Sequence, residues 1–372
     1  MSEQKLMKDS LGKDALKRIA RSFKKADPKF PADKFLKDAS KGLNTLELKA
    51  RVHHCIAVLH DCLPKDYSKA AKTLLKVKAH WDRGDLDDPN NGFAAWPVID
   101  YTGVYGLEHP ELALKVLKNL TSLFSAEFAI RPFLIEHQAL TLKTIRPWLT
   151  DPDHHVRRLV SEGTRPRLPW GQQLPAYIKD PGPIFPLLEK LKDDPTDYVY
   201  RSVANNLNDI SKDHPDLVIQ RCLKWQKNAS PERQWLIRHA LRTLIKAGHP
   251  DVFPLLGYTK KPKIELSDFG LSADKIKMGK DLNFEFTLAS VAKSEQSIVL
   301  DYAIHFMKAN GNQKAKVFKL KNLKIKKGES IEIQKKHSFK KISTRKFYPG
   351  AHKLVLLING KEIDSQDFCL IG

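Results

Sequence analysis

The chain has 372 residues, enough for two or three domains, and with 41% hydrophobic residues it can bury a real core. Its formal charge of +21, from 64 Lys and Arg against 43 Asp and Glu, makes a polyanion the default partner, because basic side chains release counterions when they neutralise phosphates. No run of about 18 apolar residues is present to span a bilayer, the polar stretch from Met1 to Lys13 has no signal-peptide core, and Glu3, Asp9 and Asp14 interrupt the basic residues a transit peptide needs. The expectation is a cytoplasmic protein with no membrane partner.

Apolar residues at three- and four-residue spacing predict helices over 15–23, 31–43, 46–63 and 67–77. Within the third lies a cluster, His53, His54, Cys55, His60 and Cys62. Its residue types suit a metal, but its spacing fits no common zinc pattern and it sits in an apolar-periodic segment. The four cysteines, Cys55, Cys62, Cys222 and Cys369, form no C-x-x-C pair, so neither a disulfide framework nor a structural zinc is expected. Residues 96–105 are aromatic-rich and read as irregular. Pro110 starts a helix with Leu112, Leu114, Val116, Leu117 and Leu120 on one face. Ser125 is the predicted N-cap of the next helix, with Glu127 in its first turn and Phe128, Ile130, Leu134 and Ile135 facing inward.

The segment 151–171 carries the densest chemistry. Arg158 and Glu162 are four residues apart, and Glu162 and Arg165 three apart, so all three share a helix face. Pro166 and Pro169 stop that helix, and Trp170 falls in a stiff turn just beyond. A plainer reading is a solvated charge face followed by a core tryptophan.

A repeat begins here. Asp151-Pro152 recurs as Asp194-Pro195, Val156 as Val199 and Arg158 as Arg201, at a common offset of 43 residues. A looser copy starts at Ser230-Pro231-Glu232 and places Arg238 in the corresponding helix. Helix pairs at a period of about 40–47 residues are the mark of HEAT-like repeats. In such a solenoid Arg158, Arg201 and Arg238 lie on neighbouring helices of a concave face. The alternative is that these arginines pair with acids between repeats.

After Lys260-Lys261-Pro262-Lys263 the period changes to two. Strands are predicted over 263–266, 282–288, 298–307, 315–320, 331–333 and 353–358, with turns at Gly279-Lys280-Asp281, Asn310-Gly311-Asn312, Lys327-Gly328-Glu329 and Asn359-Gly360-Lys361. About seven short strands in this length suggest an immunoglobulin-like β-sandwich, here without paired cysteines. The expected fold is therefore an all-α HEAT-like repeat solenoid over 1–260 followed by a β-sandwich over 261–372. Lys314, Lys316, Lys319, Lys321, Lys324, Lys326 and Lys327 form the sandwich's densest cluster. They read as a second nucleic-acid grip or as lysines that blunt a sheet edge.

Several longer motifs then carry a resemblance. They are Arg157-Arg158-Leu159, Ser161-Glu162-Gly163, the run from Arg165 through Pro169-Trp170-Gly171, and the run from Val203 through Asn205-Asn206-Leu207-Asn208-Asp209 to Pro215. Trp96-Pro97 with Tyr101 and Tyr105-Gly106, and Glu127-Phe128-Ala129-Ile130-Arg131, belong with them. Over roughly residues 5–260 the chain resembles the AlkC family of bacterial DNA alkylation-repair glycosylases, in the subgroup with an immunoglobulin-like extension. That resemblance implies a base-excision-repair enzyme acting on double-stranded DNA. It implies hydrolysis of the N-glycosidic bond of positively charged methylated bases such as 3-methyladenine and 3-methylcytosine, without flipping the base, as in the similar AlkD type. The implied catalytic set is Glu162 with Glu127 beside it, Asp209 holding water or buttressing an arginine, and Trp170 packed against the cationic nucleotide or its deoxyribose. Arg158, Arg165 and Arg167 are the implied phosphate grips, with Arg201, Arg238, Lys314, Lys316 and Lys319 as further DNA contacts. No cofactor and no metal are implied, a monomer on the bacterial nucleoid is the default, and the alternative is a non-catalytic HEAT-repeat nucleic-acid-binding scaffold. The scaffold reading needs the basic face but not a meeting of Glu162 with Trp170. A nuclease has no metal-spaced acidic set to support it.

Overall fold

The computed structural model describes residues 6–342 and 345–372. Glu3 lies outside them. Packing divides the chain into two compact units, Met1–Asp213 and His214–Gly372.

The first unit is helical. Its early helices are α1 (Lys13–Ala26), α2 (Ala32–Ser40), α3 (Leu48–Cys62) and α4 (Tyr67–Val77), close to the periodic segments of the sequence. Each buries one stripe, as in α1, where Leu16, Ile19 and Phe23 are inside. The His/Cys cluster on α3 disperses. Cys55 is fully buried, which pushes its thiol up to about 12, His54 Nε2 lies 3.2 Å from the Asp38 carbonyl, and His60 stacks on Tyr105. Among the described residues no three His, Cys, Asp or Glu are grouped as a metal would need.

Residues 96–105, expected to be irregular, form helix α5 (Trp96–Tyr105). Trp96, Val98, Ile99, Tyr101 and Thr102 are all buried, so there is no polar face to mark a helical period. Pro97 occupies the first turn, where a missing N–H is harmless. After α6 (Pro110–Leu120) the next helix, α7 (Arg131–Glu136), starts later than expected. The Ser125 hydroxyl is drawn to the Glu127 carboxylate at 2.7 Å instead of capping a helix, and Pro132 marks the first turn.

Beyond α8 (Gln138–Ile145) come α9 (His154–Gly163), α10 (Pro175–Lys179), α11 (Phe185–Leu191) and α12 (Asp197–Ile210). The repeat is visible in how α9 and α12 begin. Asp151 Oδ1 accepts from the Asp153 N–H at 2.9 Å, and Asp194 Oδ1 accepts from the Thr196 N–H at 3.0 Å. These are the same side-chain-closed turns one repeat apart. Arg157 joins the copies, donating from Nε to Asp194 Oδ2 at 2.6 Å. α12 packs on α9 through a buried polar seam in which Ser202, Ser161, Asn206 and Thr164 hydrogen-bond one another.

The second unit opens with α13 (Pro215–Gln226), α14 (Pro231–Ala240), α15 (Arg242–Lys246) and α16 (Val252–Leu255). The boundary expected at 260/261 marks the change from helix to strand, whereas packing divides the chain at Asp213. The reason is that Phe253 and Tyr258 form an apolar cluster with Val299 of the sandwich. Asn359 adds to it, accepting from the Val299 N–H and donating to the Thr259 carbonyl.

The strands are β1 (Ile264–Leu271), β2 (Lys275–Lys277), β3 (Asp281–Ser290), β4 (Gln296–Met307), β5 (Gln313–Ile325), β6 (Ser330–Ser338), β7 (Gly350–Ile358) and β8 (Lys361–Ile371). They make sheets of order β1-β3-β6 and β2-β8-β7-β4-β5. Leu282, Phe284, Phe286 and Leu288 of β3 and Leu300, Tyr302, Ile304 and Phe306 of β4 supply much of the core between the sheets. Asn359 and Gly360 both take positive φ, the two-residue hairpin turn their sequence predicts. Their hairpin partner β8 had no strand signal, because its first half, Lys361 to Asp367, is mostly polar and outward-facing. The helix-then-sandwich architecture agrees with the sequence reading.

Candidate active site

The turn after α9 is built around one buried arginine. Arg131, with no exposed surface, donates to the carbonyls of Gly163 at 3.0 Å, Arg165 at 2.9 Å and also Gln172. Burial, then the nearby Arg165 charge, pulls its guanidinium down to about 10. A Cβ on Gly171 would meet Leu168 Cδ2 at 3.0 Å and Arg131 at 3.3 Å, so any larger residue there would have to displace these side chains by a few tenths of an ångström. Trp170 is forced to φ +65°, a conformation L-residues avoid. From α3, Lys49 Nζ fixes the Trp170 carbonyl at 2.6 Å. Trp170 is 57% exposed, so it is not a core residue.

Beneath the turn three carboxylates and two arginines alternate. Glu127 Oε2 accepts from Arg158 Nη1 at 2.7 Å. Arg158 Nη2 lies 3.5 Å from Glu162 Oε1, which accepts from Arg165 Nη1 at 2.7 Å. Arg165 Nε then donates to Asp209 Oδ2 at 2.8 Å. Ser202 donates to Glu162 Oε2 at 2.6 Å, and Lys212 reaches Asp209 Oδ1 at 3.0 Å. The Arg158 guanidinium also lies over the Tyr198 ring, 4.4 Å from its centroid. Burial opposes ionisation of Glu162, but the charges of Arg158 and Arg165 and the bonds from Ser202 and Arg165 outweigh it and hold the carboxyl below its ordinary range. Glu162 is therefore a fixed negative charge at neutral pH.

Glu127, Glu162 and Arg165 open into a cleft of about 240 Å³ walled by Phe93, Trp96, Phe124, Phe128, Leu168, Pro169 and Trp170. Trp96 stacks on Phe124 and Phe128 with centroids 5.6 and 5.2 Å apart. The cleft thus pairs an electron-rich aromatic wall with a carboxylate floor, an environment suited to a cation. Asp209 does not line it and serves Arg165 instead.

Residues 265–372 match the family model described as the uncharacterised protein YhaZ, C-terminal Ig-like domain. The uncharacterized protein YhaZ of Bacillus subtilis (strain 168) is 37% identical over 97% of this chain and 98% of its own length. Among solved structures, the Pseudomonas fluorescens alkylpurine DNA glycosylase AlkC, bound to DNA containing an abasic site analog, superposes with a TM-score of 0.90. It is 36% identical, over 99% of this chain and all of that one. The chain belongs to the AlkC family. It falls in the subgroup with an immunoglobulin-like domain.

In this AlkC-family chain Glu127, Glu162 and Trp170, singled out by their spacing and motifs, come together at one cleft. The arginines do not sit as expected. Arg158 and Arg165, read as phosphate grips, turn inward to the carboxylates. Arg167 makes a two-pronged pair with Asp213, and Arg201 pairs with Asp197 on its own exposed helix face. Arg238 lies in the second unit and donates to the Tyr258 hydroxyl at 2.9 Å. Lys314, Lys316 and Lys319 are exposed on β5, an edge strand.

Sequence reasoning gave no role to Arg131, Lys49, Ser202 or Tyr198. Arg131 closes the Glu127-to-Arg131 motif, but nothing local says that it binds carbonyls more than thirty residues on. Arg131→Met is expected to lower unfolding free energy by at least about 3 kcal/mol, because three carbonyls lose charge-assisted bonds. Urea unfolding would read the loss, and hydrogen exchange should place the earliest opening at residues 163–172.

Proposed function

We propose that the chain is a DNA glycosylase that hydrolyses the N-glycosidic bond of cationic alkylated bases in duplex DNA. The observation that carries this reading is the meeting of Glu162, Glu127 and Trp170 at one cleft. A 3-methylated adenine or cytosine is already a cation, so it leaves with the bonding electron pair and needs no general acid. The deoxyribose C1′ becomes positive as that bond lengthens. The ionised Glu162 stabilises this charge, and the aromatic wall faces the cationic base or sugar. Glu127 is bound through Oε2, which leaves Oε1 to orient the water that attacks C1′. The water oxygen bonds to C1′ and its proton passes to the carboxylate and then to solvent.

Two features support the finer parts of the reading. Trp170, at the lip of the cleft, is 57% exposed, and a ring presented at the surface favours contact with a stacked nucleotide over engulfment of a flipped base. Its described lining holds no lysine, which favours water over an amine nucleophile and hence a monofunctional enzyme. Arg158 and Arg165 act in this scheme by charging and orienting the carboxylates, and the exposed lysines of β5 supply phosphate contacts. A monomer is sufficient, since one cleft serves one lesion.

The test is free-base release from methylated duplex DNA, separated by chromatography, with and without EDTA. Release of 3-methyladenine or 3-methylcytosine that survives EDTA supports the reading. No release, with salt-sensitive DNA binding intact, would favour the scaffold alternative. Replacing Lys314, Lys316 and Lys319 together by alanine is expected to flatten the log–log salt dependence of DNA affinity by about 2–3, since each neutralised phosphate contributes about 0.9 to the slope. An unchanged slope in fluorescence anisotropy would remove β5 from the DNA interface.

A further inference from the structure

The Trp96 ring of the aromatic wall has a polar tether. The Trp96 indole N–H donates to Asp100 Oδ2 at 2.7 Å, one helical turn further along α5. The other oxygen, Asp100 Oδ1, is buried and has no hydrogen-bond partner among the described residues. A half-satisfied buried carboxyl is costly, so its retention beside a reactive cleft points to a role other than stability. Burying Trp96 does not require it, because the stack on Phe124 and Phe128 holds the ring faces.

The charged groups facing Asp100 come from two neighbouring elements: Lys49 on α3, and Glu127 in the turn between Phe124 and Phe128. Arg131, at the start of α7, is committed to the carbonyls of the 163–172 turn. Burial pushes the Asp100 carboxyl up to about 7. The Trp96 bond opposes that rise, Glu127 adds to it and Lys49 opposes it.

We propose that Asp100 is a positioning residue whose ionisation couples pH to base excision. In its charged form it grips the Trp96 N–H, holds the aromatic shelf beside Glu127 and adds negative potential to a cleft where positive charge develops. No proton moves between Asp100 and the substrate; the carboxyl exchanges its proton with solvent. The inference rests on the glycosylase reading above.

The single-turnover rate of the wild-type protein should fall at least about threefold as pH drops from 8 to 6. Asp100→Asn keeps an acceptor for Trp96 but cannot ionise, and its profile should be flat over that range. Trp96→Phe keeps a ring in the stack and removes the donor that favours the charged form, so its limb should move to higher pH. The indole N–H resonance absent from Trp96→Phe should shift in the wild-type protein with a midpoint near 7, and not in Asp100→Asn. Base release with the same pH limb in Asp100→Asn, or a Trp96 resonance indifferent to pH, overturns the role of Asp100 alone. A titrating resonance without base release from any methylated duplex overturns the glycosylase reading and, with it, the coupling to excision.

Discussion

Glu162→Gln is expected to slow single-turnover base release by about 10²–10³-fold, or about 2.7–4 kcal/mol, the usual cost of removing one preorganised electrostatic group. The side chain keeps its length, and its amide oxygen can still accept from Arg165 while its NH2 donates to a turned Ser202 hydroxyl, but it loses the charge that on the proposed mechanism faces the developing positive charge. The fold should survive, because each arginine retains a second anchor: Arg158 keeps Glu127 and the Tyr198 ring, and Arg165 keeps Asp209. DNA affinity should stay close to that of the wild-type protein, since Glu162 is 5% exposed and paired with Arg158 and Arg165. The measurement is base release together with thermal melting. A folded variant with wild-type rate would move the catalytic role to Glu127, which shares the cleft.

Trp170→Gly is expected to separate stability from activity. At φ +65° a non-glycine residue carries roughly 1–2 kcal/mol of strain, which glycine relieves. Trp170 is 57% exposed, so the part of its large side chain that is buried goes with it, a loss of on the order of 2 kcal/mol that offsets the relief. The melting temperature should therefore change little. Base release should fall by about 10–30-fold, because a desolvated cation over an indole face is worth up to about 2 kcal/mol and each 1.4 kcal/mol is tenfold. Trp170→Phe should recover part of the rate. A glycine variant that melts like the wild-type protein and still excises at full rate would reduce Trp170 to a surface residue. Strain kept at a cleft lip, under a turn held by Arg131 and Lys49, is the pattern of a residue retained for function.

What could be read from sequence followed the burial pattern. α1, α4 and α6 are buried on one face, and their periods were plain. β3 alternates strictly and was equally plain. α5 is buried almost throughout, so it had no period. β8 is polar on most of its first half, so its strand character depends on pairing with β7 rather than on its own composition.

The same division holds for the cleft. Local spacing by itself determined that Arg158, Glu162 and Arg165 share one region of α9 and its end, that prolines follow, and that Trp170 lies in a turn. These depend on helical geometry and on proline's missing donor, which act over a few residues. Tertiary structure decided everything that needs residues some thirty to forty apart in the chain or farther. Glu127, Ser202 and Asp209 reach the arginine–carboxylate chain only because α9 packs on α12 and beside the turn before α7. Only that packing shows the arginines facing inward, because a charge on a helix face reads the same whether its partner is a phosphate outside or a carboxylate on the next helix. In the buried case the low dielectric makes the neighbouring carboxylates the binding partners, and they are what keep Glu162 ionised.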